Sequence, residues 1–294
     1  MWTGIELLYP LQEIRLGFPF LEDLFMILSS RIFYLALPVC IAFAFYWFID
    51  KKKGEILCLS FLSAFLFTTV SKYGFDQPRP WDLDSDIIKV EGVHANGKSL
   101  PSGHTAAMVS TVIPAAIFGR KKILGMALIM LAIMVIIGRL VLCVHTPLDI
   151  VAGLAVGICA LILAWGSMEY AYDNDRRYHQ INAVYTGLFT ILFAVGVSVW
   201  GVKIEIAIGY VGFFYGMIVG RTLDRTCLHW QPRDLGVMKD VMIFLLGMGL
   251  GGVVLIVMMY FVPVVGAGIG GAFLMIWCFF LYPKILQDHG VFEQ

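Results

Sequence analysis

The segment ILGMALIMLAIMVIIGRLVL, residues 123–142, indicates the fold class of this chain most clearly. It is apolar almost throughout, and its single charge, Arg139, lies near its end. A bilayer core about 30 Å thick needs about 20 apolar residues in a helix, which is the length of this stretch. Residues 123–142 are therefore predicted to form a transmembrane helix.

Similar stretches occur along the whole chain, which is 60 % hydrophobic and 14 % charged. A soluble protein averages about 25 % charged residues, so this composition excludes a soluble domain. Residues 5–30 carry several acidic side chains and are predicted to lie in the membrane interface, with a short first transmembrane helix as the alternative. Nine spans are predicted, at residues 32–49, 55–71, 103–119, 123–142, 147–167, 182–201, 204–220, 240–260 and 263–283.

The fold class expected is an all-α, polytopic membrane helix bundle of about nine transmembrane helices with an N-terminal interfacial segment. No linker or repeat divides the chain, so residues 1–294 are predicted to form a single membrane domain. Within it, residues 1–31 would be the interfacial segment, residues 32–181 the catalytic core, and residues 182–294 additional transmembrane helices of unassigned role.

The charges exclude one class of partner and orient the chain. The 21 basic and 21 acidic residues give a net charge of zero, which excludes nucleic-acid binding because that needs a basic surface. Basic clusters at 51–53, 120–122 and 176–177 fall on one predicted side, which the positive-inside rule assigns to the cytoplasm. We expect an outside N-terminus and a cytoplasmic C-terminus, in a bacterial plasma membrane.

The first polar motif is KYGFDQPRP, residues 72–80, at the outer end of the second predicted span. Two cations, Lys72 and Arg79, stand where a helix leaves the membrane, and together they favour an anionic ligand. The alternative is a lysine that reaches from the helix to the interface, followed by a proline turn.

The second motif is PSGH, residues 101–104, at the start of the third predicted span. Ser102 is a favourable N-cap, and Gly103 lets a ligand approach the backbone N–H groups at the helix N-terminus, an arrangement that binds anions. His104 lies at the rim of this site. An ordinary capped helix start is the alternative.

The third motif is GRLVLCVHTPLD, residues 138–149. Thr146 and Pro147 are a favourable helix start, which places Asp149 in the first turn, close to His145. A carboxylate beside a histidine fixes its tautomer and orients it as a nucleophile or base. The alternative is that Asp149 only completes a capping box with Thr146.

All three motifs lie on the same predicted face of the membrane, and their order resembles that of the type 2 phosphatidic acid phosphatase superfamily. Three cations and a helix N-terminus near hydrocarbon are costly unless they share an anion, and phosphate fits. The family pattern is Lys-x6-Arg-Pro, Pro-Ser-Gly-His and Arg-x5-His-x3-Asp, and all of it is present. One departure is Gly138, where the family usually has serine.

The resemblance implies a role for each motif residue. His145 would attack phosphorus and form a phosphohistidine, Asp149 would hold the imidazole, and His104 would protonate the leaving oxygen and then activate water. The phosphoryl oxygens would be bound by Lys72, Arg79, Ser102, Gly103 and Arg139. No metal or other cofactor is implied, and the acidic residues at 82, 84 and 86 are interpreted as solvated loop charge.

The predicted layout, with two spans before the first motif and five from Pro147 onward, is similar to the glucose-6-phosphatase and sphingosine-1-phosphate phosphatase branches. HTPLDIVAG, residues 145–153, is closer to the second branch. We expect a membrane lipid phosphate or diphosphate as substrate, cleaved on the extracytoplasmic face.

Three other functions are alternatives to a lipid phosphatase. A sugar-phosphate hydrolase is the first alternative. A transporter or channel is disfavoured because no charge falls in the middle of a predicted span. A vanadium-dependent haloperoxidase shares the anion pocket, but those enzymes are soluble.

Overall fold

The computed structural model describes residues 4–30, 32–93, 95, 97–228, 230–233, 235–262 and 265–292. Helices connected by turns and loops make up this part of the chain, and it contains no β-strand. The all-α prediction is therefore confirmed. Residues 1–3 and 31 of the predicted interfacial segment lie outside the described residues.

Most of the helices follow one another with short connections, whereas a long loop separates α5 from α6. Their bounds are α1 Leu8–Gly17, α2 Pro19–Leu28, α3 Leu37–Phe48, α4 Lys51–Phe75, α5 Pro80–Leu83, α6 Gly103–Ala107, α7 Ile113–Phe118, α8 Lys122–Val141, α9 Pro147–Ala171, α10 Asp175–Trp200, α11 Ile204–Cys227, α12 Val237–Phe261, α13 Gly266–Ile276 and α14 Tyr282–Asp288. Short 3₁₀ or π-helical turns lead into α1, α3, α7 and α14.

The predicted count of nine spans is not confirmed. Among the described residues, seven helices are long and apolar enough to cross a bilayer, or eight if the bent pair Pro19–Leu28 and Phe33–Phe48 forms one span. The helix expected at 103–119 is shorter, Gly103–Phe118. At about 1.5 Å per residue it would measure roughly 24 Å, less than the bilayer core of about 30 Å. Its first residue is Gly103 of the second motif, as predicted.

The chain forms two compact units, Met1–Ala42 with Ile56–Trp165 and Phe43–Glu55 with Gly166–Gln294. In the first unit, close helix packing brings the second and third motifs together. A Cβ atom at Gly153 of α9 would lie 2.6 Å from the carbonyl oxygen of Ser102, and one at Gly157 would lie 2.8 Å from that of Ala106. Only glycine allows the start of α6 to pack so closely on α9.

Also in the first unit, α1 and α2 pack against the loop that follows α5. Gln12 is buried, its Nε2 donates to the carbonyl of Asp86 (3.0 Å), and its Oε1 accepts from the N–H of Ile88 (2.7 Å). The hydroxyl of Tyr9 donates to Asp84 Oδ2 (2.5 Å). These hydrogen bonds attach α1 to the long loop between the first and second motifs.

The second unit contains a buried group of charged side chains that neutralise one another. Arg221 lies 3.4 Å from Glu55, and Lys51 lies 2.6 Å from Asp224. The hydroxyl of Tyr178 donates to the same Glu55 carboxylate (2.6 Å). Each charge has an opposite partner, which is what burial requires.

Candidate active site

The first motif supplies Lys72, in the last turn of α4. Its ammonium group donates to the carbonyl oxygens of Lys98 (2.7 Å) and Ser99 (2.9 Å). An ammonium carries three N–H groups, so one is left to bind a ligand. These two bonds also fix the end of the loop just before the second motif.

Arg79, the second cation of this motif, is buried and connects three segments of the first unit. Its Nε donates to the carbonyl of Gly97 (2.9 Å), and its Nη1 donates to the carbonyl of Val144 (2.7 Å). The same Nη1 lies 3.2 Å from Nε2 of His145. A guanidinium group only donates hydrogen bonds, so Nε2 must accept and the imidazole proton is assigned to Nδ1.

Asp149 faces that protonated nitrogen. Its Oδ2 lies 3.3 Å from Nδ1 of His145 and accepts from the backbone N–H of Thr146 (2.7 Å) and the hydroxyl of Ser99 (2.5 Å). Thr146 Oγ1 in turn accepts from the N–H of Asp149 (3.3 Å). The carboxylate thus caps α9 and faces the histidine with the same oxygen, so the two interpretations of this motif are compatible.

The environment keeps His145 neutral. Burial lowers its pKa well below the usual 6.5, and the positive charges of Arg79, Lys72 and Arg139 lower it further. The three predicted cations therefore act on one imidazole. At neutral pH, His145 presents an unprotonated Nε2 among positive charges.

The second motif caps the helix as predicted. Ser102 Oγ accepts from the N–H (3.5 Å) and the hydroxyl (3.0 Å) of Thr105, which leaves its own proton for a ligand. The backbone N–H of Ser102 donates to the carbonyl of Asp149 (2.9 Å) and joins the second motif to the third. The N–H groups of Gly103 and His104 lie in the first helical turn, where a helix has no preceding carbonyl to accept them.

His104 is buried and has two neighbours from the N-terminal part of the chain. Its Nε2 lies 3.0 Å from the carbonyl oxygen of Ser29, and its ring stacks on that of Tyr34 with centroids 4.6 Å apart. Burial disfavours protonation of His104, and the positive charge of Arg139, which is buried in the last turn of α8, adds to this effect. The carbonyl of Arg139 also accepts from the N–H of His145 (3.3 Å).

Gly138, the departure from the family pattern, packs against an aromatic side chain. A Cβ atom there would lie 2.5 Å from Cδ1 of Phe25 on α2, and Phe25 is buried. A serine would collide with this ring. The missing side chain is therefore explained by the packing of α2 on α8.

The structure connects the predicted site residues in two ways. Lys72, Arg79, Ser102, His145 and Asp149 belong to one network of hydrogen bonds through the loop around Ser99. Arg139 joins the same network through its carbonyl, which accepts from the N–H of His145, and Gly103 and His104 follow Ser102 at the start of α6.

Three neighbours of the site were missed by sequence reasoning: Ser99, Ser29 and Tyr34. Ser99 lies within the polar loop that the sequence singles out, but nothing in its local pattern distinguishes it. Ser29 and Tyr34 lie far from the motifs along the chain and carry no signal of their own.

The acidic residues of the loop have local roles. Asp82 Oδ2 accepts from the N–H of Arg79 (3.4 Å), and Asp84 accepts from the N–H of Asp86 (2.9 Å) as well as from Tyr9. In the described part of the chain, no three His, Cys, Asp or Glu side chains are grouped so that they could hold a metal ion.

Comparison with known proteins identifies related sequences. Residues 54–173 match the PAP2 superfamily. The chain is 34 % identical over 107 residues to an undecaprenyl-diphosphatase of Sulfolobus acidocaldarius, covering 36 % of this chain and 51 % of that protein. It is 27 % identical over 184 residues to sphingosine-1-phosphate phosphatase 1 of Mus musculus and of Rattus norvegicus, covering 59 % of this chain and 41 % of each relative. The chain thus spans about half or less of these relatives, and no solved structure matches it significantly.

Proposed function

We propose that this protein is an integral membrane phosphatase that hydrolyses the phosphomonoester or diphosphate of a lipid, because residues 54–173 match the PAP2 superfamily. The observation that carries this proposal is the state of His145. Its Nε2 accepts from Arg79, its Nδ1 faces Asp149, and Lys72 and Arg139 add positive charge. A neutral imidazole beside several cations is suited to attack a phosphoryl group.

In the proposed first step, Nε2 of His145 forms a bond to the terminal phosphorus while the bond from that phosphorus to the leaving oxygen breaks. The leaving oxygen is the lipid oxygen of a monoester or the bridging oxygen of a diphosphate. Arg79 turns its Nη1 from Nε2 to a phosphoryl oxygen as that lone pair is used. The remaining oxygens are bound by Lys72, Arg139, Ser102 and the N–H of Gly103. Asp149 stabilises the imidazole as it becomes positive.

His104 moves the proton in both steps. The cations around His104 disfavour a further positive charge on it, so the proton that it donates to the leaving oxygen arrives with the anionic substrate, and the resulting neutral imidazole then takes a proton from water. That water attacks phosphorus, the bond to His145 breaks, and phosphate is released. The scheme is metal-independent because cations and backbone N–H groups supply the electrostatic stabilisation.

The substrate, domain organisation and orientation are parts of the same proposal. The related proteins are named for a polyprenyl diphosphate and a sphingoid phosphate, which favours a lipid over a sugar phosphate. The positive-inside rule places the motifs on the extracytoplasmic face. Residues 32–181 would be the catalytic core, and residues 182–294 would supply additional helices.

The test is phosphate release by the full chain in detergent, with a long-chain alkyl phosphate, a polyprenyl diphosphate and a hexose phosphate as substrates. We expect turnover of the lipids, retention of the rate with chelator, inhibition by vanadate, and labelling by ³²P that is stable in base and lost in acid. His145→Ala should abolish both turnover and labelling, whereas His179→Ala, at an exposed position, should change neither. Turnover by His145→Ala above a few per cent of wild type would exclude this histidine as the nucleophile.

A further inference from the structure

Two groups outside the three motifs are in contact with His104. The carbonyl oxygen of Ser29 lies 3.0 Å from Nε2, and the ring of Tyr34 stacks on the imidazole at 4.6 Å with 21° between the planes. Both belong to the N-terminal part of the first unit. No motif of the chain includes them.

A carbonyl oxygen can only accept a hydrogen bond, so the contact with Ser29 requires a proton on Nε2 of His104. The other nitrogen, Nδ1, is then the one that exchanges a proton with the substrate or with water. Asp149 has the corresponding effect on His145, where it fixes the proton on Nδ1. The two histidines are thus held in opposite tautomers.

Tyr34 restricts His104 from one face. Its ring contacts Phe65 (centroids 5.3 Å), and its hydroxyl lies 2.8 Å from where a Cβ atom of Gly103 would be. The ring of Tyr34 is therefore held between Phe65 and the start of α6, on one face of His104.

We propose that Tyr34, together with the carbonyl of Ser29, positions His104 for proton transfer. This inference rests on the proposed phosphatase function. Tyr34 is a positioning residue, because it acts through His104. The part of Tyr34 that contacts the imidazole is its ring.

The experiment uses the leaving group to separate proton transfer from folding. p-Nitrophenolate leaves without a proton donor, whereas an alkoxide of a lipid requires one. In the full chain, Tyr34→Leu should reduce turnover of a long-chain alkyl phosphate about 10- to 100-fold, part of the roughly 10²–10⁴ that a positioned acid contributes. With p-nitrophenyl phosphate, the pre-steady-state burst should keep its amplitude and stay within about twofold in rate, while the steady state slows because water activation also needs His104.

Three further variants complete the test. His104→Ala should show the same retained burst and slowed steady state, while Tyr34→Phe, which keeps the ring, should stay within about threefold of wild type. Phe33→Leu, at the neighbouring half-buried position, is the matched control and should behave as wild type. A burst lost in Tyr34→Leu together with turnover, a loss in Tyr34→Phe equal to that in Tyr34→Leu, or the same loss in Phe33→Leu would each overturn the positioning role. Failure of the proposed function is distinguishable, since wild type would then release no phosphate from either substrate.

Discussion

Oδ2 of Asp149 is the atom on which the hydrogen bonds of the catalytic loop converge. It faces His145 and accepts from Thr146 and from the hydroxyl of Ser99, a buried side chain. Hydrogen bonds to a charged group contribute about 1.5–3 kcal/mol each. Ser99 therefore shares in holding the carboxylate that faces His145, the proposed nucleophile.

Ser99→Ala should lower kcat about 3- to 30-fold, because Asp149 loses one donor but keeps Thr146 and His145. The measurement is steady-state phosphate release, with KM determined separately. Ser85→Ala, at an exposed position of the same loop, is the control. Inactivation as complete as that of His145→Ala would show that Ser99 takes part in the chemistry itself.

The motif residues could be predicted because charged and hydrogen-bonding side chains at predicted helix ends near hydrocarbon need an explanation. Ser99, Ser29 and Tyr34 could not be predicted. Serine and tyrosine are common at membrane interfaces, and their contacts with the site depend on how the loop and the N-terminal helices fold back on it. The departure at Gly138 was visible in the sequence, but its reason, the room that it provides for Phe25, was not.

Helix α1 is attached to the loop after α5 by the side chain of Gln12, which forms hydrogen bonds with the backbone of that loop. Gln12→Ala would leave the N–H of Ile88 and the carbonyl of Asp86 without this partner. Each of these hydrogen bonds contributes about 0.5–1.5 kcal/mol, so we expect a lower midpoint of thermal unfolding in detergent. Glu13→Ala, at the exposed neighbouring position, should leave the midpoint unchanged, and an equal loss in both variants would contradict the specific role of Gln12.

The contact between α2 and α8 gives a second prediction. Gly138→Ser should destabilise the protein by about 1–3 kcal/mol, because its Cβ would overlap Phe25 and overpacking has a cost of this size. Phe25→Leu in the same chain should recover part of the loss, so that the two substitutions are not additive. Thermal unfolding of both single variants and of the double variant measures this. Stability of Gly138→Ser equal to that of wild type would show that the ring can move aside.

Most helices were predicted from hydropathy alone, but their ends were less accurate. The span expected at 182–201 is α10, which begins at Asp175, because its first turn contains charged residues that a hydropathy pattern leaves out. The two expected spans at 32–49 and 103–119 are apolar yet too short by themselves. Apolar composition predicts burial in hydrocarbon or in protein, and it does not distinguish between the two.

The distribution of basic residues along the chain predicts the orientation of the protein in the membrane. Ser85→Cys and Lys121→Cys place reactive thiols at exposed positions of two loops, in a chain with Cys159 and Cys227 replaced by serine. In intact cells, an impermeant maleimide should label position 85, and position 121 only after lysis. The reverse pattern would mean that the active site faces the cytoplasm.

Composition was sufficient to predict a membrane-spanning helical protein, but not its division into two compact units. That division depends on which helices contact one another, and hydropathy carries no such information. The buried charge pairs of the second unit were likewise not predicted, since their partners come from distant parts of the chain.

The start of α6 and the first turn of α9 are joined at Ser102. The N–H of Ser102 donates to the carbonyl of Asp149, and Gly153 packs against the carbonyl of Ser102. The first turns of α6 and α9 therefore form one rigid unit, which is the proposed receptor for the phosphoryl anion. Such a receptor is assembled before any ligand arrives. Small tetrahedral oxyanions without a hydrocarbon chain should therefore compete for it, and the lipid tail should add affinity without being needed to shape the receptor.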